Sequence, residues 1–132
     1  MAGQTERGQM EQLMELQMRS MEMRQHVVKI SNQVSEMERE HAVATITLGH
    51  LETLPADSVT YRPLGKCFVL EPPTKLAERM KEAAAKNEAD AVTKLKLRQQ
   101  FIDRLKENEK QLEELMDHFE KSSKRQAGAA TP

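Results

Sequence analysis

Two long stretches with heptad-spaced apolar residues flank a short segment that contains β-prone residues, proline and glycine. The first stretch covers about residues 5–54 and the second about residues 74–121. Sustained heptads predict coiled-coil helices. Because the two stretches are of similar length and a compact segment joins them, they can fold back on each other. We therefore predict a mainly α fold, a long antiparallel α-helical coiled-coil hairpin with one central β-hairpin.

The first stretch has a regular seam at alternating spacings of three and four, and ten of its twelve positions are apolar. The seam residues are Leu13, Leu16, Ser20, Met23, Val27, Ile30, Val34, Met37, His41, Ala44, Leu48 and Leu51. We interpret His41 as a polar position that fixes the register, because no second histidine lies three or four residues away to share a metal. Pro55 should end this helix, since the residue before a proline avoids the α region.

The second stretch starts after Pro72-Pro73, and its seam is clearest in its later part. Seven of nine seam positions there are apolar: Ala91, Leu95, Arg98, Ile102, Leu105, Glu109, Leu112, Met116 and Phe119. Between Lys81 and Asp90 the residues are small or polar, which predicts a weak seam where the helices approach closely. Residues 122–132 have no periodicity, and we predict that they form a disordered tail.

The central segment, residues 57–71, predicts a single β-hairpin. Residues 59–62 and 66–70 are β-prone, and Pro63-Leu64-Gly65 between them has turn chemistry. An isolated two-stranded hairpin is marginal in water, and both of its edges carry unpaired backbone groups. Residues 67–70 are apolar in succession, so both faces need cover that two thin helices do not provide. We infer that other chains complete the sheet, so that the chain is a subunit and the hairpin is its assembly element.

A second group of apolar residues lies beside the seam near the N-terminus. Met10, Met14, Met18 and Met21 recur at spacings of three and four, and an antiparallel fold brings them near the end of the second stretch. Methionine is flexible and polarizable, and it suits surfaces that accept many shapes. These residues therefore predict a promiscuous binding surface. The alternative is that they pack the helix pair or a neighbouring helix.

Composition and motifs exclude several classes of function. The net charge is -1 and no basic block is present, which argues against a nucleic-acid partner. No apolar run approaches the length of a membrane span. No Gly-rich phosphate loop and no Cys/His cluster occurs, so we expect no enzyme activity, no cofactor and no metal. The single cysteine, Cys67, is expected to be a buried strand residue, and it favours a reducing compartment, the cytosol or the nucleus, of which we expect the cytoplasm.

The hairpin sequence Tyr61-Arg-Pro-Leu-Gly65-Lys66-Cys-Phe68-Val69-Leu70 resembles that of β-type prefoldin subunits. The order helix, hairpin, helix and polar tail is similar to that family over nearly the full length, as a single domain of residues 1–132. The ending Phe68-Val69-Leu70 is most similar to the subunit 1 branch of the family. Pro63 stands where glycine or another residue is more usual.

This resemblance implies an ATP-independent co-chaperone, a hetero-hexamer of two α-type and four β-type subunits whose hairpins join in a β-barrel. The tips of its coiled coils would hold unfolded clients of the actin and tubulin type and pass them to the cytosolic chaperonin. Carried over by position, the resemblance assigns subunit assembly to Val59, Tyr61, Leu64, Gly65, Phe68 and Leu70. It assigns the client-binding tip to Met10, Leu13, Met14, Leu16, Met18, Leu112, Leu115, Met116 and Phe119. The alternative function is a coiled-coil adaptor or tether that dimerises without chaperone activity.

Overall fold

The chain forms two long helices with a β-hairpin between them in sequence, in a computed structural model that describes residues 2–129. Helix α1 spans Ala2–Glu52 and helix α2 spans Pro73–Ala129. Strands β1, Tyr61–Leu64, and β2, Cys67–Leu70, pair in an antiparallel two-stranded sheet. The predicted mainly α fold with one central hairpin is confirmed.

The chain divides into two compact units. The terminal unit consists of Met1–Lys29 with Leu97–Pro132, and the hairpin unit is Ile30–Lys96. Within each unit a segment of α1 packs against a segment of α2 that runs in the opposite direction. The assignment of residues 1–132 to a single domain stays a prediction.

The antiparallel order in the terminal unit follows from its hydrogen bonds. The Gln126 side chain bonds to Glu6, whereas Asn108 bonds to Ser20. In the hairpin unit, Val43 and Met80 line one cavity. Met37 and Leu95 line another, which gives the same reversal of order.

The predicted seam of α1 is the buried side of the helix. All twelve seam residues are buried or half-buried, and Leu16, Ile30 and Val34 are among the most buried residues of the chain. Ser20 is also buried, which makes it a polar member of the core. Heptad periodicity therefore identified the packing face of α1 correctly.

The seam of α2 differs from the prediction in the terminal unit. Asn108 is only 6% exposed and Leu115 is half-buried, whereas Met116 is 53% exposed. The seam thus runs one residue earlier at these turns. Leu115 and Met116 are adjacent and both apolar, so heptad spacing alone does not show which of them lies in the seam. Asn108 lies in the seam because of its hydrogen bonds, which the apolar pattern does not show.

The ends of the helices facing the hairpin follow local chemistry. Helix α1 ends at Glu52, where the Thr53 hydroxyl donates to the His50 carbonyl oxygen at 2.8 Å. Helix α2 begins at Pro73, a position that needs no backbone donor, and the carbonyl oxygen of Pro72 accepts the Leu76 N–H at 3.1 Å.

The predicted disordered tail is helical as far as Ala129, and residues 130–132 lie outside the described residues. Lack of periodicity removes a packing face but does not end a helix. Lys124, Arg125 and Gln126 are good helix formers, and no proline or glycine interrupts the segment before Gly128. Lys124 also lies 3.6 Å from Glu120 one turn earlier.

The turn of the hairpin is Gly65-Lys66, so the predicted placement of Pro63 and Leu64 in the turn is wrong. Leu64 pairs with Cys67, and Pro63 pairs with Phe68 within the sheet. Gly65 has a φ of 60°, and no other described residue has a positive φ. A two-residue connection with positive φ at its first position only is a type II′ turn, which favours glycine there.

Candidate functional site

The hairpin has two different faces, and its hydrogen-bond pattern defines them. The Glu71 N–H donates to the Thr60 carbonyl oxygen at 3.0 Å. Bonded and non-bonded pairs alternate along an antiparallel ladder, so the pair Pro63 and Phe68 is non-bonded. The missing N–H of Pro63 therefore does not interrupt the ladder.

Four of the predicted assembly residues lie on one exposed face of the hairpin. Side chains two residues apart on a strand share a face, and so do directly opposed residues of paired strands. These rules place Tyr61, Phe68 and Leu70 together, and Val59, which precedes the strand, lines the same cavity as Leu70. Each is at least 60% exposed, and Phe68 reaches 75%. Exposed aromatic and aliphatic side chains in one patch are typical of an interaction surface.

The other two predicted assembly residues have different positions. Leu64 lies on the opposite face, where it is also exposed, and Gly65 forms the turn. Cys67 is exposed on the same side as Leu64, so the expectation of a buried cysteine is wrong for the chain by itself. Strand β2 is exposed along its whole length because neither helix of the chain covers it.

A buried carboxylate fixes the base of the hairpin to α2. Glu71 accepts hydrogen bonds from the Nε atoms of Arg62 on β1, at 2.8 Å, and Arg79 on α2, at 2.7 Å. The Thr60 hydroxyl also donates to the Glu71 carbonyl oxygen. This arginine-glutamate-arginine cluster joins the strand, the connection and the helix, and it sets the direction in which the exposed face points.

The electrostatics of the cluster favour the ionised carboxylate. The hydrogen bond from Arg79 lowers the pKa of Glu71, and the bond and charge of Arg62 act in the same direction, while burial opposes them. Sequence reasoning missed this cluster, because Glu71 looks like any solvated glutamate beside a proline. Its only signal is a single charge placed directly after four apolar strand residues.

In the terminal unit, the nine predicted tip residues fall into two groups, one buried or half-buried and one exposed. Leu16 is buried in the seam, and Leu13, Leu112, Leu115 and Phe119 are half-buried around it. The methionines are exposed by more than half. They are Met10, Met14, Met18 and Met116, together with Met21, which the sequence placed in the same stripe. We call these five residues the methionine face.

An ion pair shows that the methionines of the two helices share one side of the terminal unit. Arg24 of α1 lies 2.5 Å from Glu109 of α2. In a coiled coil, residues seven apart return to the same side. Met10 is fourteen residues before Arg24, and Met116 is seven residues after Glu109, so both lie on the side of this pair. Met14 follows Met10 on the adjacent helical row.

A buried polar cluster crosses the same unit. Asn108 donates to the carbonyl oxygen of Leu16 and to the Ser20 hydroxyl, each at 2.8 Å. Nearby, the His26 ring stacks on Phe101 with centroids 5.0 Å apart. Heptad spacing places Glu109 in the seam, so the sequence pattern does not identify Asn108.

Comparison with known proteins assigns this architecture to a family. Residues 14–129 match the family model described as prefoldin subunit.

The chain belongs to the prefoldin subunit family.

Curated relatives in the prefoldin family agree with this assignment. Prefoldin subunit 1 of Arabidopsis thaliana is 33% identical over 104 residues, which cover 78% of this chain and 80% of the relative. A probable prefoldin subunit 1 of Dictyostelium discoideum is 33% identical over 92 residues, or 69% of this chain and 77% of the relative. The predicted resemblance to prefoldin subunits is confirmed.

The prefoldin fold is also seen in a solved relative. The crystal structure of the prefoldin beta subunit from Thermococcus strain KS-1 matches with a TM-score of 0.69 and 21% identity, covering 78% of this chain and 90% of that chain. The family model and the curated relatives show that the chain is a chaperone-type prefoldin subunit, and membership of the family implies assembly with other prefoldin subunits.

Among residues 2–129, no three histidine, cysteine or acidic side chains are grouped closely enough to hold a metal ion. Neither helix has, over that range, an apolar stretch that could span a bilayer. His41, half-buried in the seam, has its Nε2 atom 4.0 Å from a Glu88 carboxylate oxygen.

Proposed function

We propose that this chain is a β-type subunit of a hetero-hexameric, ATP-independent co-chaperone that holds unfolded nascent proteins and passes them to the cytosolic chaperonin. The observation that carries the proposal is the methionine face, five exposed methionines on one end of a prefoldin subunit. Membership of the prefoldin family supports a chaperone role. The exposed methionine side chains offer an apolar surface to which unfolded clients could bind.

Assembly depends on the exposed face of the hairpin. Val59, Tyr61, Phe68 and Leu70 form an apolar patch on a sheet with two free edges. Large exposed apolar patches mark interaction sites, and free edges accept further strands. Partner hairpins from two α-type and four β-type subunits would cover this face in a β-barrel.

Client holding depends on the methionine face. Methionine side chains adapt to apolar segments of different shape, which is what a holder of many unfolded clients requires. Because the five side chains are mostly exposed, they are available without unfolding the helix pair. Clients of the actin and tubulin type, held in the cytoplasm, fit this proposal, and no step in it needs ATP hydrolysis by this chain.

A coiled-coil tether is the second candidate function, and the helix order disfavours it. An elongated tether requires the two helices to continue away from each other. In the terminal unit, by contrast, Asn108 of α2 bonds to Ser20 of α1, and Gln126, further along α2, bonds to Glu6, nearer the start of α1. The two helices therefore run side by side in opposite directions within this unit.

Co-expression with candidate α-type and β-type subunits tests assembly, with native mass spectrometry as the readout. We expect a hexamer, and a monomer or plain dimer under all conditions would contradict the assembly proposal. The same complex should suppress aggregation of a denatured client, diluted from denaturant, in the absence of nucleotide. Suppression that requires ATP would contradict the proposed mode of action.

A further inference from the structure

Glutamates surround the methionine face in a repeated spacing. Glu11, Glu15 and Glu113 each lie three residues before a methionine of the face, Met14, Met18 and Met116 in turn. Glu22 and Glu120 lie four residues after Met18 and Met116. Residues three and four apart on a helix are neighbours on its surface, so each of these carboxylates lies beside a methionine. All five glutamates are exposed.

The acidic character extends along α2. Between residues 107 and 120 there are six acidic residues, Glu107, Glu109, Glu113, Glu114, Asp117 and Glu120, and one basic residue, Lys110. Like charges at this density create a negative potential that attracts cations. The segment of α2 that carries Met116 therefore has a local excess of negative charge.

Some of these charges are already neutralised and others are not. Glu109 pairs with Arg24, Glu15 lies 2.7 Å from Arg19, and Glu120 lies 3.6 Å from Lys124. Within residues 2–129, no ion pair of this chain involves Glu11 or Glu113. These carboxylates remain able to pair with a basic group on a bound segment.

We propose that the methionine face selects unfolded segments in which lysine or arginine flanks apolar residues. This inference rests on the proposed holding function and names the segment chemistry that the surface prefers. The methionines would contact the apolar side chains, and the neighbouring glutamates would contact the basic ones. A segment flanked by acidic residues would meet like charge and bind more weakly.

Labelled peptides with one apolar core and different flanks test the selection. The cores would be flanked by lysine, serine or glutamate, and fluorescence anisotropy would measure their binding to the full-length chain in its assembly. We expect the lysine-flanked peptide to bind about tenfold more tightly than the glutamate-flanked one at low salt, since several exposed charge pairs contribute. Raising the salt concentration should shrink this ratio.

Variants that remove negative charges test whether the glutamates beside the methionine face cause the preference for basic flanks. Combining Glu11→Gln, Glu22→Gln and Glu113→Gln removes three exposed carboxylates that form no ion pair within residues 2–129, and it should bring the ratio close to one. The control combines Glu36→Gln, Glu38→Gln and Glu82→Gln, which removes the same number of exposed charges from the hairpin unit and should keep the ratio. Glutamine has a helix propensity similar to that of glutamate, so both variants should stay folded.

The outcomes separate the two proposals. Equal binding of all three peptides to the unaltered assembly would overturn the charge selection and leave the holding function standing. Absence of binding by every peptide would overturn the holding function and this inference with it. If the control variant of the hairpin unit abolishes the lysine-to-glutamate binding ratio as fully as the methionine-face variant does, the selection does not reside at the methionine face.

Discussion

The side-chain amide of Asn108 donates a hydrogen bond to the backbone carbonyl oxygen of Leu16, 2.8 Å away on the opposite helix. The same amide reaches the Ser20 hydroxyl. A buried polar group at a single seam position can specify the register of a coiled coil. In the terminal unit these bonds are satisfied only when the helices are aligned as they are here.

Replacing Asn108 with alanine should therefore destabilise the chain. The change leaves the buried Ser20 hydroxyl without its amide partner, and we expect a loss of about 1–3 kcal/mol in the free energy of unfolding. Urea denaturation followed by circular dichroism measures it. Asn32→Ala, at an exposed position of α1, is the matched control and should change the value by less than about 0.5 kcal/mol. Equal effects of both substitutions would contradict a role for the cluster.

The buried and exposed members of the predicted tip should respond differently to truncation. Leu16→Ala removes a seam side chain that is 6% exposed, and we expect it to cost about 2–5 kcal/mol in urea denaturation. Met14→Ala removes a side chain that is mostly exposed and should cost less than about 0.5 kcal/mol. Comparable losses would mean that Met14 packs in the structure of the free chain.

Replacing exposed methionines should weaken client capture without unfolding the protein. The variant combines Met14→Ser, Met18→Ser and Met116→Ser. Because three apolar contacts with a client are lost, we expect suppression of client aggregation to need about a tenfold higher concentration of the assembly. Light scattering during dilution of a denatured client measures it.

The matched control for that experiment replaces exposed apolar residues of the hairpin unit, with Val43→Ser, Ile46→Ser and Val92→Ser combined. We expect this variant to hold clients as well as the unaltered chain. If both variants lose capture equally, the effect comes from general loss of apolar surface or of helix stability.

Truncation of Phe68 should disrupt assembly and spare the fold. Its side chain is 75% exposed in the chain by itself, so Phe68→Ala removes little internal packing. At an interface, an aromatic anchor contributes about 2 kcal/mol or more, which corresponds to roughly a 30-fold weaker association. Native mass spectrometry over a dilution series measures the loss of hexamer. Ile46→Ala, an exposed apolar change on α1, should leave the hexamer intact.

The Glu71 cluster should make hairpin anchoring depend on pH. The folded-state pKa of Glu71 is lowered by Arg79 and Arg62, so its ionised form stabilises the fold above the ordinary glutamate pKa of about 4.3. That contribution is lost as the pH falls from this value through the lowered pKa. Glu71→Gln should reduce the Tm at pH 7, and the difference from the unaltered chain should shrink below pH 4.

Glu78→Gln provides the control for that titration, because Glu78 is exposed on the same helix as Arg79. Its Tm difference should stay small at every pH. A Glu71→Gln difference that is constant from pH 7 to pH 3 would mean that the ionisation of Glu71 does not contribute to anchoring.

Sequence patterns predicted the elements well, because their physical causes are local. The α1 seam offers one apolar residue at almost every turn, so only one face can pack. The Pro72-Pro73 pair starts α2 for steric reasons that depend on no distant contact. The lack of cover for the hairpin within the chain also followed from local sequence, although the expected burial of Cys67 did not hold, since residues 67–70 are apolar and exposed.

The sequence-based predictions were wrong where two neighbouring residues fit the same heptad pattern. Leu115 and Met116 are both apolar, and the sequence does not show that Asn108, seven residues before Leu115, contacts the opposite helix. The Glu71 cluster depends on Arg62 and Arg79, which come together only after the hairpin has folded onto α2. Long-range polar contacts of this kind leave no periodic signal.

Because of Pro63, the two edges of the hairpin differ in their ability to hydrogen-bond a further strand. In the ladder, the nitrogen of Pro63 points away from β2, toward the free edge of β1. Because proline has no N–H, β1 offers no hydrogen to a neighbouring strand at this position. On the free edge of β2, by contrast, the N–H groups of Phe68 and Leu70 are available. Identical copies stacked edge to edge would therefore lose one bond at each junction. A single proline thus discourages open-ended fibrils of a chain whose hairpin is otherwise apolar and uncovered.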